Sequence, residues 1–555
     1  MSRGNHKQSF ESRVKVDNLA LNQRLRSWYP TAARELSEVE VTLRLAKDDI
    51  ADCDTEMHRL KSRREGLILY AEKLSGLLSP IRRLPNEILC QIFLDCCAEN
   101  DLRNGKTGTA DILSSVCTRF RELAISYSAL WSNLTIFLPA DYDFDKRGDL
   151  IRVPKLLEEE TKLSSLIQLY LDRSKNHPLS LDLDIETREV STEHCSLRLL
   201  ARESNRWKHL IFRGGAFDPE YGFPSLDHLS FPLLESIAFD AGLNQDYIFS
   251  PEAEAFLLAP RIRKLRFHDM LVDVLTISAF SSTWKSLKHL DYHTTMVFKY
   301  LWTILDLCPA LGSLKLEGLN NGEDEDGTQS NTPRNLPTLS SLTVINNGFH
   351  ELDDTLECII SSLTTPNLSK LVLEQDNDKA AEHPRKSFPI INQFFERSRF
   401  RSLASLVIQC LYIRDQDMVT LLRQLPSLQE LSIHDPPFPG LASHNPISKS
   451  FIESLHAWKR SPLRRSVEPL VSQLRELTLK VETEGFDPFS FVDTIASRWL
   501  PDEFSVAALG LVCLRSIELH LGQIVDAKPY EPLKQFEKAG LRVVVRCKGM
   551  KDCII

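Results

Sequence analysis

None of the twelve cysteines in this chain is followed by another three positions on, and the nearest pair is the neighbours Cys96 and Cys97. A zinc ribbon or a disulfide framework needs regular cysteine spacing, so the cysteines read as reduced, mostly buried thiols. No stretch reaches the ~18–20 apolar residues of a membrane helix, and none is expected to meet a membrane. The N-terminus, MSRGNHKQSFESRVK, lacks the apolar core of a secretory leader, so the expected location is cytoplasmic or nuclear, not secreted. Cys553 stands third from the end where prenylation requires the fourth position, which removes a lipid anchor from consideration. There is also no basic stripe: the net charge is −9, and no nucleic-acid footprint is expected. Phosphate-loop, dinucleotide, zinc-protease and serine-hydrolase motifs are all missing. The chain is therefore read as non-enzymatic, with no catalytic residue, no metal and no cofactor.

What is present is long and ordered. With 555 residues, 42% of them hydrophobic and 26% charged, the chain has material for several cores or for one elongated repeat array. From Leu36 the apolar residues alternate at spacings of three and four: Val39, Leu43, Ala46, Ile50, Cys53, Met57, Leu60, then Arg64, Leu67, Ala71, Leu74, Leu78 and Ile81. A mean spacing of 3.5 keeps one seam on one side of a helix, which is what a coiled coil requires. Two readings fit: pairing with a second helix, including self-association, or one amphipathic helix packed on the chain's own body. Ala, Cys and Arg make the seam weak. Pro30 suits its start and Pro80 its end.

Directly after this seam comes Ser-Pro-Ile-Arg-Arg-Leu-Pro-Asn-Glu-Ile-Leu-Cys-Gln-Ile-Phe, residues 79–93. Pro85 suits a first helical turn and Glu87 complements the positive helix end. Ile88, Leu89, Ile92, Phe93 and Cys96 then make an apolar stripe, and a second short helix is expected with Ile112, Val116, Phe120 and Leu123 on one face. Leu84-Pro85-Asn86-Glu87-Ile88-Leu89, Ile92-Phe93, Val116-Cys117-Thr118-Arg119-Phe120-Arg121 and Ser128-Ala129-Leu130-Trp131-Ser132, in that order, resemble the F-box. The pattern is most similar to fungal F-box proteins, in which a coiled coil runs straight into SPIRRLPNEIL. The resemblance covers residues 80 to about 135 and implies docking on a Skp-family adaptor and, through it, a cullin. By motif position Leu84, Pro85, Ile88, Leu89, Ile92 and Phe93 are expected in the adaptor's groove, with Val116, Cys117 and Phe120 holding the second half. Two departures stand out: the thirteen residues from Ala98 to Ala110 lengthen the inter-helix loop, and Phe120 stands where many F-boxes carry Trp.

Beyond residue 205 the pattern Leu-x-x-Leu-x-Leu keeps returning, from Leu234-Ile237-Phe239 and Ile262-Leu265-Phe267 through to Leu514-Ile517-Leu519. Trp207-Leu210-Phe212 reads as a degenerate first copy and Leu541-Val543-Val545 as a last one. Alternation at the last two apolar positions makes a half-buried strand, and helix-like runs such as 301–307 and 356–360 lie between copies. Strand and helix at mostly 24 to 29 residues point to an irregular leucine-rich-repeat solenoid, although its usual asparagine is mostly missing. Lys264, Arg266, His268, His289, Asp291, His293, Lys315 and Glu317 are expected on its concave wall, with Glu430, Ser432 and His434 further along. They read as a basic centre flanked by acids, suited to an acidic or phosphorylated segment of an unknown protein substrate. A metal site at His268, His289, Asp291 and His293 is the lesser reading of the same residues.

The expected fold class is thus α+β multidomain. It comprises a flexible 1–30, a coiled-coil helix 31–79, a small helical F-box 80–135 and a connecting segment 136–205. The repeat body follows at 206–545, with long loops near 317–337, 374–390 and 434–466, and then a tail 546–555. The expected function is substrate recognition in a ubiquitin ligase; the rival is a scaffold or dimerising protein that keeps the F-box fold outside any ligase.

Overall fold

The computed structural model describes residues 12–26, 32–103, 106–138, 142–144, 150–152, 154–185, 195–213, 229–240, 247–248, 256, 258–268, 270–271, 277, 280–293, 299–318, 333–346, 355–375, 388–436, 446–458, 463, 468–482, 486–500, 510–523 and 526–548. The chain divides into two compact units, residues 1–91 and 92–555. The first is dominated by one helix and the second by one parallel sheet. The fold is α/β in its second unit, with all-helical structure ahead of it.

In the first unit, α1 (Asn18–Leu25) precedes α2 (Ala33–Leu78). The 46 residues of α2 are rich in Ala, Leu, Glu, Lys and Arg, the best helix formers. At 1.5 Å per residue the helix is about 69 Å long. Ser79 leaves it in an extended conformation and Pro80 opens a short 3-10 turn, Pro80–Arg83. The seam residues Leu36, Leu43, Ile50, Met57, Leu60 and Leu67 all stand exposed. The described part of the N-terminus, expected to be flexible, is strapped to this helix. Ser12 Oγ and the amides of Arg13 and Val14 donate to the Asp49 carboxylate at 2.8, 2.8 and 3.2 Å, and the Arg13 guanidinium joins them at 2.9 Å. Burial by itself would raise the Asp49 carboxyl, but these donors outweigh it and hold it below the usual range.

α3 (Asn86–Cys96) runs across the boundary between the units. In the second unit α4 (Thr109–Val116) and α5 (Thr118–Ser126) replace the single helix expected over 112–123. Cys117, with φ −160° and ψ 167°, is extended and separates them. The Arg121 Nε donates across the break to the Ser114 carbonyl at 3.1 Å.

Fifteen strands then form one sheet in chain order. They are β1 (Asn100–Asp101), β2 (Asn133–Leu138), β3 (Leu179–Ile185), β4 (Trp207–Arg213), β5 (Ser236–Asp240), β6 (Lys264–His268), β7 (His289–His293) and β8 (Ser313–Glu317). They continue as β9 (Ser341–Asn346), β10 (Lys370–Gln375), β11 (Ser405–Gln409), β12 (Glu430–His434), β13 (Glu476–Val481), β14 (Ser516–Leu521) and β15 (Arg542–Cys547). Every neighbouring pair is parallel, so each needs a crossover, and short helices such as Lys299–Asp306, Thr355–Ser361 and Phe388–Ser398 supply several of them.

The register follows from the apolar pattern. Leu265, Leu290, Leu314, Leu342, Leu371, Leu406 and Leu431 lie side by side and buried. A second buried column runs from Ile136 and Leu183 into Phe212, Phe239 and Phe267, whose rings stack at 6.1 and 5.8 Å. Just before each strand from β6 to β14 a repeated backbone device locks neighbours together: two successive amides donate to one carbonyl of the preceding copy. Lys288 and His289 bond Arg263, Gly312 and Ser313 bond Lys288, Ser340 and Ser341 bond Gly312, and Ser369 and Lys370 bond Ser340. This main-chain ladder runs through copies that lack the asparagine.

Three expectations change. The sheet begins at Asn100, not near residue 206, so β1, β2 and β3 fall inside the segments read as F-box and connector. Trp131-Leu134-Ile136 is in fact a first copy of the repeat, with Trp in the leading apolar place. The 434–466 segment, read as a loop, contains the helix Lys449–Leu455, opened by Ser448 accepting from the Phe451 amide at 3.0 Å. The remainder of the three expected loops lies mostly outside the described residues, as does most of the tail.

Arginines tie successive helices, Arg498 buried and Arg397 half-buried. Arg498, at the end of the helix Pro488–Arg498, donates to the carbonyls of Leu455, Leu470 and Val471, the first of them an orphan at the end of Lys449–Leu455. Arg397 does the same for Ile360 and Leu363 at 2.8 and 2.7 Å. Arg498→Met keeps the stem and strands three buried acceptors, so it is expected to destabilise the second unit by about 3 kcal/mol. Urea unfolding followed by tryptophan fluorescence reads the shift in midpoint, and Arg498→Lys should recover little of it because one ammonium cannot span three acceptors.

Candidate functional site

Two surfaces carry the residues singled out above. The first is the segment from Leu84 to Phe120. Pro85 precedes α3, and its carbonyl accepts the Leu89 amide at 3.1 Å. Along α3 the apolar residues divide: Leu89 and Phe93 are 0% and 1% exposed, while Ile88 and Ile92 are 49% and 36% exposed. Leu89 and Phe93 were expected in a partner's groove, yet they are core. Phe93 sets its ring edge-on to Phe120 at 4.8 Å, so Phe120 is a core anchor as well. Leu84 is half-buried and Pro85 exposed. On α4, Ile112 and Val116 are 55% and 61% exposed, one helical turn apart; Ile112 belongs with the exposed set although its motif position did not single it out. Cys117 is half-buried at the break between α4 and α5.

The long inter-helix insertion is built into the second unit. Its Asn100–Asp101 pair is β1, parallel to β2. Asn100, fully buried, donates from Nδ2 to the carbonyls of Leu130 and Asn133 at 2.8 and 3.0 Å and accepts from the Ala110 amide at 2.9 Å. Gly108 is fixed by space, since a Cβ there would meet the Tyr170 hydroxyl. Trp131 is buried too, donating to the Ala124 carbonyl at 2.7 Å, with the Arg173 guanidinium 4.3 Å over its ring.

The second surface is the sheet face opposite the leucine columns, where alternate residues of each strand emerge. The structure brings the predicted wall together in register: Lys264 beside His289 and Ser313, Arg266 beside Asp291 and Lys315, His268 beside His293 and Glu317. The charges are not arranged as a basic centre. Arg266 bonds Asp291 at 2.8 Å, Lys315 bonds Glu317 at 2.5 Å, and His268 Nδ1 sits 2.7 Å from Asp240. Arg213, which the sequence reading passed over, holds Asp182 through two bonds of 2.9 Å. His293 is not on a solvated wall; it is 8% exposed, with its ring 4.0 Å from that of His268. Among the described residues no group of three or more His, Cys, Asp or Glu is placed to hold a metal ion. Burial, then Lys264 and Lys288, pushes the His289 imidazole down.

Further along, β9 to β11 present Thr343, Val372 and Val407 half-buried and in register, with half-buried Ile345 two residues further along β9 beside Glu374, and charge returns on β12 to β14. Glu430 is exposed at the start of β12, and Ser432 and His434 are half-buried on the same face. His520 Nε2 lies 2.8 Å from Glu518 and Lys480 3.3 Å from Glu482. Burial, helped by Lys480 and His520, pushes His434 down to about 4. No described helix is long and apolar enough to cross a membrane.

Comparison with known proteins finds no matching family model and no matching curated protein. A crystal structure from Bacteroides fragilis aligns over 72% of this chain and 85% of its own, at 15% identity and a TM-score of 0.33.

The His434 environment carries a pH dependence. Between 6.5 and about 4 the unfolded chain binds a proton at this position that the folded chain refuses, so its effect on stability turns unfavourable as pH falls through that window. His434→Gln is expected to flatten the fall in melting temperature between pH 6.5 and 4.5. An unchanged slope would place the titrating group elsewhere.

Proposed function

We propose that this chain is the substrate-recognition subunit of a Skp–cullin–F-box ubiquitin ligase, with catalysis left to its partners. On this reading residues 80–135 dock on the Skp adaptor and the sheet belongs to an irregular leucine-rich-repeat solenoid that captures a protein. The observation that carries the reading is the exposure of Ile88 and Ile92 on α3, directly after the Leu-Pro-Asn-Glu-Ile-Leu motif. Exposed apolar side chains one turn apart, with Leu89 and Phe93 held inside, suit a helix that inserts into a partner's apolar groove. Ile112 and Val116 on α4 are the corresponding residues of the second half of the motif. Leu84 and Pro85 keep the groove contacts, and Cys117 the place in the second half, that the resemblance implies.

Substrate capture is assigned to the open sheet face. Because Arg266, Lys315 and His268 already have acidic partners there, an acidic or phosphorylated segment must displace one of those pairs to bind them. Exposed Lys264 and His289 and the apolar strip of Ile345, Val372 and Val407 are the parts of the face that bind without that exchange.

Ile88→Glu and Ile92→Glu are each expected to weaken adaptor binding about thirty-fold, the ~2 kcal/mol typical of a truncated anchor, while leaving the melting temperature unchanged because both sites are exposed. Phe93→Ala should instead lower the melting temperature, by a core loss of about 3 kcal/mol. Co-purification with the adaptor and cullin measures the first effect and thermal denaturation the second. Wild-type retention of the adaptor by both glutamate variants would reject the ligase reading in favour of a scaffold.

A further inference from the structure

The apolar seam of α2 is exposed along most of its length from Leu36 to Leu78, with Ala46 half-buried one turn from the Ser12–Val14 strap at Asp49. We propose that its occupant is a second copy of this chain running antiparallel, with the pair centred between Met57 and Leu60. This inference is independent of the ligase reading.

Charge decides the direction. In a parallel pair each seam residue meets its own copy, so Arg64 would face Arg64 inside an apolar layer, an uncompensated charge that helix pairing disfavours. The flanking positions would then bring Glu35 to Glu40 and Asp49 to Asp54, the first of each pair already held by Arg24 or Arg13, and leave Glu56 with Lys61 as the one favourable contact. Turning one helix round about the Met57–Leu60 midpoint removes every conflict. Val39 then faces Leu78, Ala46 faces Ala71, Ile50 faces Leu67 and Cys53 faces Arg64 of the second copy. Small residues meet small ones, and Arg64 shares its layer with Cys53 in place of a second Arg64. On the flanks Asp54 meets Lys61 and Glu56 meets Arg63, each twice by symmetry, and Arg64 lies beside those acids. The overlap extends over nearly the whole of the 46-residue helix. The paired stretch, Val39 to Leu78 of each copy, is between five and six heptads long, where three or four already mark a sustained seam.

The strap at Asp49 is compatible with this arrangement. Its partners, Asp49 and Asp52, lie on one flank of the helix, away from the central contacts of Asp54 and Glu56. A consequence is that the two Leu84–Leu89 segments sit at opposite ends of a shared rod about 69 Å long, by helix rise alone. Each would meet its partner without competing with the other.

Native Cys53, which is exposed and free, makes the direction measurable on the full chain. Light scattering should give the mass of two chains. Under mild oxidation with diamide, Arg64→Cys should form an interchain bond mapped by mass spectrometry to positions 53 and 64. That bond should vanish in Arg64→Cys combined with Cys53→Ser. The paired reversal Asp54→Lys with Lys61→Asp should keep the dimer, whereas Asp54→Lys by itself should weaken it roughly tenfold. A single-chain mass at tens of micromolar would overturn the proposal. So would a Cys53–Cys53 bond in the unaltered protein, or an interchain bond at position 64 that survives loss of Cys53, since both mark parallel pairing.

Discussion

Everything in the second unit depends on a strand that can bury only one of its faces. A single copy, such as His289–His293 with its helix, leaves Leu290 and Tyr292 without cover until the neighbouring copies supply Leu265 and Leu314 on either side. A slip of one residue would turn Lys264 and Arg266 into the core, so the register has no alternative. The main-chain ladder before β6 to β14 makes that register rigid. Where Gly312 accepts from Ser340 and Ser341, the chain satisfies its polar groups without any side chain, which explains how copies tolerate such varied residues between the leucines.

This constraint also explains which parts of the fold were legible. Copies with Leu at all three places announced themselves, and their strands fall where the pattern put them. The first copies did not, because Trp131 leads into Leu134 and Ile136 from a segment that a different motif already accounted for. The polar insertion hid β1 for a related reason: a strand of two residues has no periodicity, and Asn100 holds its place by three hydrogen bonds that composition cannot reveal. The helix Lys449–Leu455 was lost among Ser, Pro and Lys, although Phe451, Ile452 and Leu455 carry helical spacing.

The candidate adaptor segment marks a sharper limit. An apolar stripe on a short helix shows that something must cover it, not which residues face the chain itself. Ile88 and Leu89 are adjacent, about 100° apart around the axis, and the two sides of a broad stripe can serve two different partners. On α3 they do differ: Leu89 and Phe93 belong to the core, whereas Ile88 and Ile92 remain for contact. The motif read all four as one set because it records chemical type and spacing, and the burial of each is set by contacts distant in sequence.

Charge on the open face shows the same separation between identity and role. The residues are those the alternation placed there, but parallel pairing sets Arg266 against Asp291, and His268 finds Asp240 two strands from Asp291. The proposed capture face is therefore not a reservoir of free cations. Any partner that engages Arg266 gains only the difference between its own acid and Asp291, which confers selectivity more readily than affinity. Affinity then has to come from the half-buried apolar strip of Ile345, Val372 and Val407, where no competing pair must be broken. Arg266 lies on β6 and the strip starts on β9, so a substrate segment that satisfies both places its acid about 14 Å, three strand spacings, from its apolar residues.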